Sequence, residues 1–263
     1  MRAKLFHVVP VVAIVAVAMM AGQVAAASSS ARGREGTTAR SGVSHRSATR
    51  PLPGSRPNLH LASALKSPDL AGYAVTPSKL ISAKATIKIP SITCAPSGNS
   101  GIAPGVYLFG GYSGYSGAFA GADCENGQVT YDAYITINGT QTTVFAVRPG
   151  NTVVVSISES SSKTSATVHD VTTGQRNSLS GAGSDKTQVL VGDGGFFFGS
   201  LGLNDLGGVP KFKSYSVNSV SVGGRALGSV QPVLVERVKG STLQLLPSAI
   251  TGGNAFKVAF KHT

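Results

Sequence analysis

The chain has no tryptophan, and only two of its 263 residues are cysteine. Charged residues make up 13 % of it, with 11 Asp and Glu against 23 Lys and Arg. Past Gly22 every apolar run is a few residues long, too short to cross a bilayer as a helix, which needs about 20. No window keeps apolar residues at i, i+3, i+4 and i+7 for three turns, so the pattern does not support a helical bundle. The histidines are His7, His45, His60, His169 and His262. They form neither a His-x-x-x-His pair nor a Ser/His/Asp constellation. The cysteines form no Cys-x-x-Cys. The sequence therefore offers no motif for a metal, a cofactor, a catalytic triad or a redox centre.

What is present divides into three parts. Met1-Arg2-Ala3-Lys4 is short and basic, Leu5 to Gly22 is almost wholly apolar, and Ala25-Ala26-Ala27 supplies small residues for a cleavage site. That is the layout of a secretory signal peptide over residues 1–27. Residues 28–67 are rich in Ser, Ala, Arg, Gly, Thr and Pro. They hold too few apolar side chains to offset the entropy of ordering. They are expected to form a flexible basic linker or propeptide. Of the net charge of +12, this segment carries +6 and the signal +2, leaving +4 for residues 68–263. The basic leader suits an anionic cell envelope. The domain shows no basic patch interleaved with stacking groups, so no specific nucleic-acid partner is expected.

An exported chain meets an oxidising compartment, where an isolated pair of cysteines usually becomes a disulfide. Cys94 and Cys124 would close a loop of 30 residues, worth roughly 3 kcal/mol.

From about residue 69 the hydrophobic pattern takes period two. In Ile81-Ser82-Ala83-Lys84-Ala85-Thr86-Ile87-Lys88-Ile89 the odd positions are apolar and the even ones polar, the signature of a half-buried strand. Pro90 ends it, because proline cannot donate to a ladder. Tyr131, Ala133, Ile135 and Ile137 repeat the alternation before Asn138-Gly139, a strong hairpin turn. Further strands are expected at Val144–Val147, Thr152–Ser158, Ser165–Val171, Thr187–Val191, Ser214–Val222 and Phe256–Phe260. Short strands separated by turn signals predict an all-β, two-sheet antiparallel sandwich or barrel over residues 68–263. Two glycine-rich stretches, Phe109–Gly117 and Gly192–Gly195, read as loops, since neither has the context of a phosphate-binding loop. Asp123 and Glu125 read as turn residues beside Cys124 and Gly127, and Asp132 as a structural hydrogen-bonding group on a strand. The domain is expected to be monomeric.

A series of short motifs, in order, resembles the glutamic peptidases (eqolisins, peptidase family G1, formerly A4). They are Leu70-Ala71-Gly72-Tyr73; Ala85-Thr86-Ile87-Lys88-Ile89-Pro90; Ala120-Gly121-Ala122-Asp123 with Gly127-Gln128-Val129-Thr130-Tyr131-Asp132-Ala133; Val147-Arg148-Pro149-Gly150; and Val171-Thr172-Thr173-Gly174-Gln175. The resemblance covers roughly residues 69–260 and implies a legume-lectin-like, jelly-roll β-sandwich. It also implies a Glu that serves as general base and then acid, and a Gln amide that stabilises the oxyanion. The position implied for the Gln holds Phe119, and the position implied for the Glu holds Gln188. No Gln lies between Gly110 and Asn126, and no Glu between Arg176 and Val235, so a small shift of register restores neither. The family's cleft is rich in Trp. Tyr107 or Leu108, and Tyr134, stand where Trp is expected, and Thr136 replaces a nearby Glu.

Taken together, these readings predict a secreted, non-catalytic relative that binds an extended peptide or glycan in a surface cleft. The candidate cleft residues are Tyr107, Tyr112, Tyr115, Phe119, Tyr134 and Gln188. The rival expectations are an active acid endopeptidase and a structural, envelope-associated protein.

Overall fold

The structure is a computed structural model that describes residues 64–77, 81–110, 114–194 and 208–262, all within one unit, Pro57–Thr263. The expected signal peptide, the leader as far as residue 63 and Tyr112 lie outside the described residues.

The strands follow the chain as β1 (Leu65–Ser67), β2 (Leu70–Val75), β3 (Ile81–Lys88), β4 (Asn99–Ile102), β5 (Pro104–Phe109), β6 (Ser116–Glu125) and β7 (Gln128–Ile137). Then come β8 (Thr140–Ala146), β9 (Thr152–Glu159), β10 (Lys163–Asp170), β11 (Arg176–Ala182), β12 (Gln188–Gly194) and β13 (Ser214–Val222). The series ends with β14 (Arg225–Ala226), β15 (Val233–Lys239), β16 (Thr242–Pro247) and β17 (Phe256–Phe260). A single 3-10 turn, Leu227–Ser229, is the only helical element among the described residues.

The pairings form two antiparallel sheets. Sheet I runs β15–β2–β12–β5–β6–β7–β8, with β4 continuing β5 along β6. Sheet II runs β16–β17–β13–β3–β9–β10–β11. The β15–β16 pairing joins them at one edge. The sequence dictates what lies between. Ala83, Ala85 and Ile87 of β3, Val153, Val155 and Ile157 of β9, and Ala166 and Val168 of β10 point inward. They share one core with Val106, Leu108, Ala118, Ala120, Ala133, Ile135, Val189 and Val191 of sheet I. Each strand thus gives its apolar parity to the middle of a sandwich.

The turns follow local chemistry. Asn126-Gly127 and Asn138-Gly139 both take positive φ at both residues (49° and 83°, then 50° and 83°). A two-residue hairpin needs this, and Asn and Gly tolerate it. The Asp170 carboxylate accepts hydrogen bonds from the Thr172 amide (2.9 Å) and the Thr173 hydroxyl (2.9 Å), which closes the β10–β11 turn. Cys94 and Cys124 are disulfide-bonded, as expected.

Three expectations change. Leu65–Ser67, inside the segment read as leader, forms β1 and pairs in parallel with β15. Gly192, Asp193 and Gly194 lie in β12, so that glycine-rich stretch is strand as far as it is described, whereas Phe109–Gly117 is strand only at its ends, in Phe109 of β5 and Ser116 and Gly117 of β6. Asp123 and Glu125 lie in β6, with Asp123 opposite Thr130, and the turn falls at Asn126-Gly127. The last two share a cause, burial on both faces of β5, β6 and β12. Such strands lose the apolar–polar alternation that marks a half-wet strand.

Candidate functional site

Sheet I has an inner face against the core and an outer face that is itself packed. Cross-strand register builds the outer face in rows. One row runs Val235, Gly72, Gly192, Gly105, Phe119, Tyr134 across β15, β2, β12, β5, β6 and β7. The next runs Ala74, Leu190, Tyr107, Gly117, Thr136. A third begins Gln188, Phe109.

The glycines make room for the rings. A Cβ on Gly105 would stand 2.4 Å from the Cβ of Phe119, and one on Gly117 would stand 2.8 Å from the Tyr107 ring. Gly72 and Gly192 sit directly opposite each other at φ +147° and +148°. A Cβ on either would fall 2.1 Å from a backbone oxygen of the facing strand. These two positions need glycine for space and for conformation.

Five rings then line up along the face. Tyr115 to Phe109 is 6.4 Å, Phe109 to Tyr107 6.2 Å, Tyr107 to Phe119 5.4 Å and Phe119 to Tyr134 5.2 Å between centroids. These are ordinary separations for offset aromatic pairs. Phe119 and Tyr107 are fully buried, and Tyr134 nearly so. Tyr115, Phe109 and Gln188 remain half-exposed.

The bend where β4 becomes β5 positions this row and is held from both sides. The Ala103 amide donates to the Asp193 carboxylate at 2.7 Å, and the Ala103 carbonyl accepts from the Tyr107 hydroxyl at 2.5 Å. Asp193 is fully buried and is compensated by Arg237, whose Nη1 lies 3.3 Å away. The Nε of Arg237 donates to the Pro68 carbonyl at 3.2 Å. A buried carboxylate requires such pairing.

The two ends of the row differ chemically. At one end the Tyr134 hydroxyl lies 3.4 Å from the Asp123 carboxylate and 3.5 Å from that of Asp132. Burial pushes the Asp123 carboxyl up to about 7, against the hydrogen bond from Tyr134, while Asp132 and Glu125 push it further up. At the other end Thr136 Oγ1 donates to the Tyr115 hydroxyl (3.3 Å), which reaches Gln141 Oε1 at 3.4 Å. Burial raises the Tyr115 phenol to about 12, so it stays a donor at all ordinary pH values. The arrangement can stack an apolar or planar group, hold a proton on Asp123 near neutrality, and hydrogen-bond through Gln188 and Gln141. Among the described residues no group of three His, Cys, Asp or Glu is placed to hold a metal ion.

Phe119 and Gln188 share this face. β5 lies between them, and they stand opposite residues four apart on it, Gly105 and Phe109. That offset is about 13 Å of strand. The structure brings them onto one face without bringing them into contact. Tyr107, Tyr115 and Tyr134 join them there. The Asp123–Tyr134–Asp132 cluster went unread in the sequence. Its only sequence signal was Asp132 and Tyr134 at i, i+2 on one strand, with Asp123 across the Asn-Gly turn.

Residues 68–196 match the family model described as the Peptidase A4 family. No curated protein matches the chain in sequence. Among solved structures, it is similar to scytalido-glutamic peptidase with a transition state analog inhibitor, at a TM-score of 0.59 and 18 % identity. It is also similar to SCP-B, a member of the eqolisin family in complex with the tripeptide Ala-Ile-His, at a TM-score of 0.60 and 18 % identity. Each match covers 73 % of this chain and 98 % of the other. At that identity the structures speak for the fold, which is that of the glutamic peptidases, and it is residues 68–196 of the chain that match the peptidase A4 family.

Proposed function

We propose that this is an exported glutamic-peptidase relative without glutamic-peptidase activity, which holds an extended peptide or glycan at the half-exposed Gln188, Phe109 and Tyr115 edge of the aromatic row of sheet I. One observation carries the reading. Phe119, at the position the resemblance assigns to the oxyanion-stabilising Gln, is fully buried between Tyr107 and Tyr134. An apolar ring there has no donor for a developing oxyanion, and loss of one such donor typically costs about 10²–10³ in rate. Gln188, at the position of the general base, has no proton equilibrium near neutrality. Binding of an extended ligand is supported by the half-exposed edge of Gln188, Phe109 and Tyr115, and by the peptide ligand of the similar SCP-B structure.

The test is digestion of casein and a peptide library by the mature protein from pH 2 to 8. No cleavage is expected from the natural protein or from Gln188→Glu, and little from Gln188→Glu with Phe119→Gln. Cleavage at acid pH by the natural protein would overturn the reading. A second reading, an acid endopeptidase with a different acid, is favoured by Asp123 and Asp132 meeting at one hydroxyl with Asp123 raised to about 7. It predicts cleavage that Asp123→Asn and Asp132→Asn each abolish.

Export rests on the signal-like layout of residues 1–27. The mature chain is expected to begin near Ser28, which N-terminal sequencing of the culture medium would check.

A further inference from the structure

The charges of the domain are sorted between its two outer faces. Strands β4 to β8 of sheet I carry Asp123, Glu125 and Asp132 and no Lys or Arg. Strands β3, β9, β10, β11, β13 and β17 of sheet II carry Lys84, Lys88, Lys163, Arg176 and Lys257, all exposed, together with half-buried His169. Their two acids, Glu159 and Asp170, are buried. Glu159 accepts hydrogen bonds from Thr164 and the Lys186 amide, and Asp170 from Thr172 and Thr173. No exposed carboxylate on these strands offsets the cations.

Between the cations the face is hydroxyl. Register sets Ser82, Ser158, Ser165 and Ser180 in one row across β3, β9, β10 and β11, and Lys84, Ser156, Thr167 and Ser178 in the next. A third row is Thr86, Val154, His169 and Arg176. Lys84 and Lys88 are four residues apart on β3, and Arg176 lies three strands from β3. Either interval is about 13–14 Å. A compact anion therefore meets one cation at a time, whereas an extended polyanion can span several. The hydroxyl rows suit sugar hydroxyls. The outward-facing positions of β3, β9, β10, β11 and β13 hold no Phe, Tyr or Trp, and the half-buried imidazole of His169 stands alone there, whereas a single-stranded nucleic acid is held by successive stacking platforms.

We infer that the outer face of sheet II is a docking surface for an anionic polysaccharide, a carboxylated sugar polymer laid along or across the strands. The site is separate from the aromatic row and independent of any activity there.

The probe is polygalacturonate, titrated into the full mature protein at low and high salt, with neutral dextran and single-stranded DNA beside it. Binding of polygalacturonate at low salt is expected, weakened by salt because surface charge pairs are screened, and dextran should not bind. The triple change Lys84→Glu, Lys88→Glu, Arg176→Glu should weaken binding at least about tenfold, the combined effect of several surface pairs. The neutral triple Lys84→Ser, Lys88→Ser, Arg176→Ser should weaken it less. An equal charge change elsewhere, Lys66→Glu, Lys211→Glu, Lys239→Glu, should leave most of the affinity. Circular dichroism and melting curves would establish that each variant folds. Three results would overturn the inference: no binding at low salt, affinity retained in the face triple, which would assign binding to the basic leader, or equal loss in the two charge-reversed triples. DNA bound as tightly as polygalacturonate, and lost in the same variant, would equally overturn it.

Discussion

On β12 every residue from Val189 to Gly194 is buried, whereas on β3 buried positions alternate with half-exposed or exposed ones along all eight residues. Both are interior strands of antiparallel sheets with their inner faces on the same core. The difference lies outside. Sheet II shows solvent a lattice of Ser, Thr, Lys and Arg, and sheet I covers its outer face with Tyr107, Phe119, Tyr134 and Leu190. The comparison teaches that a strand's sequence pattern reports how many of its faces are dry. One dry face writes an alternation, and two dry faces erase it.

The comparison can be broken most severely at its glycines. Gly192→Ala puts a methyl group 2.1 Å from the Ala71 carbonyl oxygen at φ +148°, and backbone cannot yield there as a side-chain tip can. The expected loss is more than about 4 kcal/mol, read as failure to recover folded protein or as a collapsed denaturation midpoint. Next comes Phe119→Ala. If the outer face of sheet I is core, the change should cost about 3–5 kcal/mol in denaturant unfolding. A loss below about 1 kcal/mol would show that the ring is not structural.

Asp123→Asn tests the acid end of the same face. The folded-state value of Asp123, about 7, lies above its unfolded value near 3.8. The folded state therefore binds the extra proton, and stability falls as pH rises from about 4 to about 7. Removing the charge should stabilise the protein by about 1–2 kcal/mol at pH 8, less than the full shift because the group is part-solvated. At pH 4 it should change little. Equal effects at both pH values would show that Asp123 titrates normally. The smallest effect belongs to sheet II. Thr167→Ala removes an exposed hydroxyl that pairs with Ser178 at 2.8 Å and should shift stability by no more than about 0.5 kcal/mol. A larger cost would mean that the hydroxyl lattice is itself structural.

What the sequence determined alone follows from local physics. Period two between Ile81 and Ile89 fixed both the strand and the parity of its buried face, because successive side chains on a strand point to opposite sides. Asn138-Gly139 and Thr173-Gly174 fixed hairpins, because few residues accept left-handed backbone. The isolated Cys94 and Cys124 fixed their own pairing. The tertiary structure decided what depends on neighbours distant in the chain. Gly192 reads as loop until Gly72 and Gly105 stand on either side of it. Asp123 reads as a turn residue until Tyr134 and Asp132 face it across β6 and β7. Lys84 and Arg176 lie 92 positions apart and join one basic face only because β3, β9, β10 and β11 pair in register. Periodicity and turn chemistry act over a few residues, so they are written in the chain. Burial of a second face, desolvation of a carboxyl and the sorting of charge between faces arise only when strands from distant segments pack together.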